Sequence, residues 1–383
     1  MALNLVRNSR VFFTTNVNAT TGVVSTTGFD NTNTFEIQVL DGFSFTQNTT
    51  SETVTLNEAG ATPSRGQRSF NTALDPVEFT MSTYVRPFLD TTAPSPNEVL
   101  AEERWLWNAF AGTAKIGDAG AAWTTGATSS AVAFTNSNAH QLQKFGMILV
   151  VDGAVYVIDN CAMDQATIDF GIDAIATIAW TGRGTALRNL EGITVGTSSG
   201  DVSFTGAGLA GTAKTKNTAA SYLANKLSVT TVVSGIGGGG TTYSVPITGG
   251  SITFANNLTY LTPANLGVVN QPITYFTGTR AVSGNLTAYL RTGGTNDTGD
   301  LLKDLLAGSA TNIDPGFSIT VKIGGAAGNR VEIAMPAAVL QIPTVNTEQV
   351  VSTTINFTAQ GKAGGAAYDI EAANEATITY YAV

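Results

Sequence analysis

Two stretches of the sequence end in the same pattern: residues 173–184 read DAIATIAWTGRG, and residues 350–361 read VVSTTINFTAQG. Each alternates apolar with small or polar residues, which is the period of a β-strand with one face against a core. Each finishes with an aromatic residue, a threonine, a small residue, one further residue and a glycine. The recurrence indicates that one chain contains the same structural unit twice.

Further segments match in the same order along the two halves. FEIQVLDGFSFTQN from Phe35 matches YSVPITGGSITFAN from Tyr243, and the Asp-Gly at 41–42 and the Gly-Gly at 249–250 are both predicted as tight turns. The offset between matching positions falls from 208 here to 177 at the strand endings quoted first. The first copy is therefore the longer one, and most of its extra length lies in AGAAWTTGATSSAVAFTNSN.

A strand followed by a helix is predicted in each half. VEFTMSTYVR at 77–86 matches VSGNLTAYLR at 282–291, and the two helices that follow both end in Ala-Gly, at Gly112 and Gly308. For the first helix, SPNE at 95–98 has the sequence of a capping box with Ser95 as the N-cap, Pro96 at the first helical position and Glu98 at N3. For the second, Thr298 or Asp300 is predicted as the cap.

These observations predict a mainly β protein of two tandem β-sandwich domains, each with one flanking α-helix. The first domain is expected at 1–190, with an N-terminal arm and an added loop or hairpin around 113–145. A Gly/Ser/Thr-rich connection follows at 191–218, and the second domain is expected at 219–383.

Composition excludes several classes of function. Charged residues make up 12% of the chain and the net charge is −9, which argues against a basic face that grips nucleic acid. One cysteine and one histidine exclude a disulfide framework, CxxC sites and most zinc sites. No apolar run is long enough to span a membrane, and the N-terminus lacks the features of a signal peptide, so we expect a protein made and kept in a cytoplasm.

Short motifs that suggest catalysis have simpler interpretations. The DTG triplet at 297–299 has no second copy, as aspartic proteases require, and is predicted to cap a helix. The glycine-rich SGIGGGGTT from Ser234 lacks a GK[ST] ending and is predicted to be a hairpin tip. His140 is predicted to be a loop residue and Cys161 a small buried one. We therefore predict no enzymatic activity and no catalytic, cofactor or metal site.

Two segments are similar to the tail tube (major tail) proteins of tailed bacteriophages: NEAGATPSRGQRSFNTALDPVEFTMSTYVRPF at 57–88 and NTEQVVSTTINFTAQG at 346–361. The resemblance implies β-sandwich units with a flanking helix, six of which close their sheets into a β-barrel ring on oligomerisation. Rings stack into a tube through which DNA passes during ejection without specific binding. With a duplicated unit, three chains would make one pseudo-sixfold ring.

The resemblance also implies partners and a location. They are further copies of the chain and other tail proteins such as the tape measure, tail terminator and baseplate, with no membrane and no cofactor. The protein would be part of the virion and assembled in the host cytoplasm. Arg65 and Arg68 lie in the region from which a long loop of tube proteins reaches an adjacent ring.

The matching strand endings provide candidate residues for the channel and the core. Trp180 and Phe357 lie on the apolar face, where we expect equivalent core sites. The opposite face is small and polar and is predicted to lack lysine and arginine, as a surface along which a polyanion slides should. Its predicted lumen residues are Thr177, Thr181, Ser352, Thr354, Asn356 and Thr358.

Two alternatives remain open from sequence. A baseplate hub or tube initiator with duplicated tube domains would be present in three or six copies per virion rather than many. A carbohydrate-binding β-sandwich adhesin would carry exposed aromatic clusters on its loops. A solvated outer sheet face would also be polar, and an ordinary exposed turn could also carry Arg65 and Arg68.

Overall fold

The fold is described from a computed structural model. It describes residues 9–30, 32–54, 68–91, 97–134, 140–151, 154–172, 174–190, 193–195, 202–204, 229–311, 316–325, 327–346, 350–364, 367–369 and 371–382.

In the first half, the helix α1 spans Arg104–Ala111. The strands are β1 (Ser9–Thr14), β2 (Thr34–Ile37), β3 (Ser44–Thr46), β4 (Thr49–Val54), β5 (Arg68–Leu74), β6 (Val77–Tyr84), β7 (Pro87–Asp90), β8 (Glu98–Ala101), β9 (Trp123–Thr124), β10 (Ser130–Ala133), β11 (Phe145–Val151), β12 (Ala154–Gly171), β13 (Thr177–Gly184) and β14 (Ala186–Asn189).

In the described part of the connection, β15 (Ile193–Val195) and β16 (Val202–Phe204) pair with each other. In the second half, the helix α2 spans Thr298–Thr311. The strands are β17 (Val229–Ser234), β18 (Thr242–Ala255), β19 (Thr259–Leu261), β20 (Thr274–Phe276), β21 (Ala281–Tyr289), β22 (Phe317–Ile323), β23 (Arg330–Leu340), β24 (Thr344–Asn346), β25 (Ser352–Ala359) and β26 (Thr377–Tyr381).

The second half closes into a barrel within one chain, where the sequence predicted a β-sandwich. Its six strands pair in the order β17, β18, β21, β25, β23 and β22, and β22 returns to β17. Buried and less buried residues alternate along β22 and β23, so one face of each strand fills the interior. Closure within one chain removes sheet edges that a sandwich would leave open.

The first half has the same order of pairings. β1 pairs with β2 and β11, β12 joins β11 to β13, and β6 joins β13 to β3. β2 and β3 together take the place of the single strand β18. They are separated by a turn in which Gly42 has φ 96°, as a tight turn requires.

The predicted turn at Gly249 and Gly250 is wrong, because β18 runs through both residues. A bulge in its pairing with β21 falls between Ile247 and Gly249. Before the bulge β18 pairs with β17, and after it the same strand pairs with β12. The glycines permit the local bend at which the strand changes partner.

One antiparallel sheet crosses from the first half to the second. Its eight strands lie in the order β3, β6, β13, β12, β18, β21, β25 and β24. The two halves meet inside this sheet, where residues 165–171 of β12 pair with 249–255 of β18. We refer to it below as the eight-stranded sheet.

A second connection joins the halves on the other side of the core. The segment around 113–145 contains the hairpin β9–β10, and β10 pairs with β26. β26 also pairs with β23 of its own half. The helix α1 lies between the two connections with seven of its eight residues buried.

The start of the first helix differs from the prediction. Glu98–Ala101 is the strand β8, which pairs with β7, and α1 begins only at Arg104. Ser95 and Pro96 lie outside the described residues. The apolar side chains of Val99 and Leu100 are buried from a strand here, so tertiary pairing overrides the capping pattern. The helix ends before Gly112, as predicted.

The second helix also differs at both ends. The carboxylate of Asp297, rather than Thr298 or Asp300, accepts hydrogen bonds from the backbone N–H groups of Gly299 and Asp300 at 3.0 and 3.1 Å. These bonds make Asp297 the cap. The helix continues through Gly308 to Thr311, because a glycine inside a helix costs only about 1 kcal/mol.

Candidate functional site

All six predicted lumen residues lie on one face of the eight-stranded sheet. Residues directly opposite one another in a sheet share a face, and one row of opposed residues crosses six strands. This row consists of Tyr84, Thr177, Asp169, Ser251, Asn285 and Asn356. Thr181 opposes Thr80 in the first half, and Thr354 opposes Thr287 and Thr344 in the second. We call this surface the polar face.

Hydroxyl and amide groups hydrogen-bond to one another across the strands of the polar face. The hydroxyls of Thr167 and Thr253 lie 3.1 Å apart across the junction between the halves. The Asn285 side chain donates to Ser251 Oγ at 2.9 Å. Neutral groups that satisfy one another in this way leave few donors that could bind a phosphate group.

The expectation that the polar face has no cation is wrong at one position. Arg183 continues the face beyond Thr181 on β13. Its guanidinium is 3.5 Å from a carboxylate oxygen of Glu78 and 3.9 Å from one of Asp164. Across these eight strands, all described, Arg183 is the single cation on the polar face and lies beside these two carboxylates.

Acidic groups outnumber that cation on the polar face. Besides Glu78, Asp169 occupies the row described above, and partial burial raises the pKa of its carboxyl group. The polar face is therefore neutral to negative over most of its area, and such a surface repels a polyanion.

The loop region expected to reach a neighbouring ring forms an exposed hairpin arm. β4 and β5 pair with each other, and Arg68 begins β5 with its side chain in solvent. Arg65 lies outside the described residues. The predicted contact of these two arginines with an adjacent ring stays a prediction.

The sequence reasoning missed a second arm in the equivalent place of the other half. β19 and β20 pair, and the chain between them carries exposed apolar side chains. These are Leu266, Val268, Val269 and Ile273, with Leu261 and Phe276 on the strands. Backbone hydrogen bonds of Asn270 with Thr72 and Leu74 tie this arm to the first one. The run LGVVN was the available signal.

Trp180 and Phe357 are both buried on the core side of the eight-stranded sheet. Their levels in the sheet differ: Trp180 opposes Met81, whereas Phe357 opposes Gly284. Trp180 pairs with the residue three before Tyr84, whereas Phe357 pairs with the residue five before Tyr289. Relative to its partner strand, the second strand ending is therefore displaced by two residues. A shift of two keeps each side chain on its face, so the sequence pattern could not reveal it.

The displacement exchanges a large and a small residue between paired strands. In the first half Phe79 of β6 lies over Gly182 of β13. In the second half Gly284 of β21 lies under Phe357 of β25. Each half thus places one phenyl ring over one glycine at the same level, but from opposite strands.

A buried polar cluster joins α1 to β26, and no sequence pattern predicts it. The indole N–H of Trp107 donates to the hydroxyl of Tyr380 at 2.7 Å, and that hydroxyl donates to Glu103. Burial raises the pKa of Glu103 to about 7. Oε2 of Glu103 has no hydrogen-bond partner in the described part of the protein.

The motifs that suggest catalysis occupy separate places. Asp297 caps α2, and His140 is exposed on a loop. Cys161 is fully buried, which raises the pKa of its thiol well above its usual range. Among the described residues, no group of three or more His, Cys, Asp and Glu side chains could hold a metal ion. Neither helix in the described residues is long and apolar enough to cross a membrane.

The class that this architecture defines is a structural β-barrel protein whose main surface feature is a broad polar sheet face. No family model matches the chain. A curated relative, "Tail tube protein pb6" of Escherichia phage T5, is 32% identical over 371 residues, which are 94% of this chain and 73% of the relative. The chain therefore belongs to the phage tail tube proteins, as the sequence resemblance indicated, and is a structural component of a viral tail.

Proposed function

We propose that three copies of the chain form a ring of six barrels, that rings stack into a hollow tail tube, and that the polar face lines the lumen and conducts DNA during ejection. Each chain would contribute the two domains at 1–190 and 219–383. The observation that carries the proposal is the eight-stranded sheet, which joins the two halves side by side and ends in the edge strands β3 and β24.

The internal junction is the template for the junction between copies. In the first half, Met163 of β12 opposes Gly182 of β13, and one extra residue of β12 follows before the pairing resumes. In the second half, Leu340 of β23 opposes Phe357 of β25, and one extra residue likewise precedes the pairing of β24 with β25. β24 therefore corresponds to the part of β12 that pairs with β18. In the same way β3, which pairs with β6, corresponds to the part of β18 that pairs with β12.

Among the described residues, β3 and β24 each pair with one strand only. An unpaired edge exposes backbone donors and acceptors that another strand can satisfy. In this correspondence Thr344 takes the place of Thr167, and Thr46 takes the place of Thr253. Thr344 of one copy would therefore lie opposite Thr46 of the next copy. Val345, 38% exposed, would then be covered as its counterpart Ile168 is.

A cysteine pair tests this junction. Thr46→Cys combined with Thr344→Cys should give disulfide-linked closed trimers on oxidation, because opposed residues in a ladder are near enough to bridge. Cys161 is buried and should not interfere. Each single variant is the matched control and should stay uncrosslinked. Linked hexamers would overturn the trimer, and a lack of linkage in assembled tubes would overturn the register.

Images and mass measurements test the tube itself. Negative-stain micrographs should show hollow tubes, and partial dissociation should give a species of three chains. Compact monomers at high concentration would contradict the proposal. Copy number per virion separates a tube, with many copies, from the baseplate hub alternative, with three or six; the relative's description as a tail tube protein favours the former.

The remaining parts of the proposal concern neighbours and location. In the virion, tape measure, tail terminator and baseplate proteins would contact the tube, and assembly would take place in the host cytoplasm. The two exposed arms, β4–β5 and β19–β20, would reach the adjacent ring. Exposed apolar side chains on the second arm support a contact of this kind, since isolated soluble proteins rarely expose contiguous apolar patches.

A further inference from the structure

We infer that the exposed side of α2 is a contact surface for the first half of the neighbouring copy in the ring. This inference rests on the proposed ring, and it adds an element that sheet pairing alone does not require. It follows from a difference between the two helices of the chain.

The helix α1 has two covered sides. On one side Trp105 stacks on Phe35 of β2, in its own half, with ring centroids 3.5 Å apart. On the other side the second half covers it: Phe254 of β18 contacts both Trp107 and Phe110. The burial of α1 is therefore completed by the barrel that follows it in the sheet.

The contact with the second half is also polar and specific. The side-chain amide of Asn256, just beyond β18, donates to the backbone carbonyl of Phe110 at 2.9 Å and to that of Met163 at 3.0 Å. The amide thus bridges the end of α1 and the edge of β12. The second half does not merely lie beside α1 but hydrogen-bonds to its last turn.

Within the described part of the chain, α2 has only the first of these covered sides. Leu301 and Leu305 are buried against its own half, and Tyr243 of β18 donates a hydrogen bond to Asp304. Tyr243 matches Phe35 in the internal repeat, so the same strand position contacts the helix in both halves.

The other side of α2 exposes Lys303 and Leu306 in the part of the chain that the structure describes. Counted back from the Ala-Gly that both helices share, Leu306 is the counterpart of Phe110, and its side chain is 51% exposed. An exposed leucine beside a proposed interface has no covering barrel in a single chain. The next copy in the ring would supply one, since its first half would lie beside α2 as the second half lies beside α1.

The surface that would cover α2 has suitable chemistry. Phe43, just before β3, and Phe45 on β3 stack with their ring centroids 6.4 Å apart, and both side chains are only partly buried. By register Phe45 corresponds to Ile252, which is fully buried at the internal junction. Phe43 and Phe45, at the β3 edge of the sheet, are thus incompletely covered. Leu306, on the half that contains the other edge, is incompletely covered as well.

Thiol protection tests the inference. A Leu306→Cys variant should react with a maleimide at least tenfold more slowly in assembled tubes than in dissociated chains. Lys115→Cys, on an exposed turn after α1, is the comparison site and should change less than twofold. Equal labelling of Cys at position 306 in tubes and in dissociated chains would overturn the inference while leaving the ring intact.

A second variant gives an independent readout. Leu306→Asp should prevent ring formation without lowering the melting temperature of the single chain, because the side chain is exposed there, whereas Leu306→Met should assemble normally. Assembly of the aspartate variant at the normal rate would overturn the inference. If the wild type forms no rings, the proposed function fails first, and this inference falls with it.

Discussion

At the scale of single residues, Glu103 has the environment that differs most from its sequence context. It lies in a run of charged residues, AEER, yet its carboxyl group is fully buried at the start of α1. Tyr380 and the backbone N–H of Arg86 donate to it. Removal from water outweighs these bonds, so its pKa rises from 4.5 to about 7.

This shift predicts how stability depends on pH. Between about pH 4.5 and 7 the unfolded chain has lost the Glu103 proton while the folded chain retains it, so the free energy of unfolding falls as pH rises. The contribution is complete below pH 4.5 and lost above about pH 7, with a slope near 1.4 kcal/mol per pH unit. Denaturant titrations from pH 4 to 8 should show less of this slope in Glu103→Gln; an unchanged slope would refute the assignment.

Truncation of the two aromatic core residues should be costly. Trp180→Ala and Phe357→Ala are each expected to lower the free energy of unfolding by about 3 to 5 kcal/mol, because each leaves a cavity in a close-packed interior. Trp180 also loses the hydrogen bond from its indole N–H to Thr83. Urea unfolding measures the change. Thr181→Ala on the polar face is the control and should stay within about 0.5 kcal/mol.

At the scale of elements, alternation in the sequence predicted the strands, and neighbouring strands decided the rest. Four segments were predicted correctly as strands because their period of two is unambiguous: 77–86, 282–291 and the two strand endings. The beginning of α1 was wrong because β7 recruits 98–101 into a strand. The prediction of a turn at 249–250 was wrong because a glycine pair permits a bend within a strand as readily as it permits a hairpin turn.

The exchange of phenylalanine and glycine between paired strands gives an element-level prediction. In Gly182→Ala the new methyl group would occupy the space of the Phe79 ring and press on the backbone carbonyl of Ala162. We expect a loss of about 1 to 3 kcal/mol in the free energy of unfolding. Gly239→Ala, where nothing lies within 4 Å of the added atom, is the control and should be near neutral. Equal stability of the two variants would contradict the packing described.

At the scale of the whole molecule, the repeat could be found from sequence, but the junction could not. The ordered matches predict two units, and the strand ladders of the two halves follow the same order. Which strand of one unit meets which of the other depends on long-range pairing such as that of β12 with β18, and no local pattern encodes it. The polar face was found from the strand endings, whereas Arg183 was missed because the apolar-polar alternation was not followed one step further.

The channel assignment predicts an effect on DNA ejection. Thr354→Lys places a cation on the polar face, where it would add about one phosphate contact per chain as DNA passes. Tubes should assemble normally and ejection should slow. Thr354→Gln, polar but uncharged, is the control. Ejection kinetics from intact virions measure the effect, and a normal rate for the lysine variant, or Thr354 on the tube exterior, would refute the assignment.

The position of β26 has a consequence for synthesis. β26 pairs with β10, and Ser130 lies opposite Tyr380. This pairing cannot form until Tyr380 has left the ribosome. At bacterial translation speeds that delay is on the order of ten seconds or more. Until then the nascent first half lacks the strand that covers Trp107 and Trp123. A chain whose translation stops before Tyr380 would keep that aromatic surface open to chaperones and proteases, so only chains extended beyond β26 could cover it.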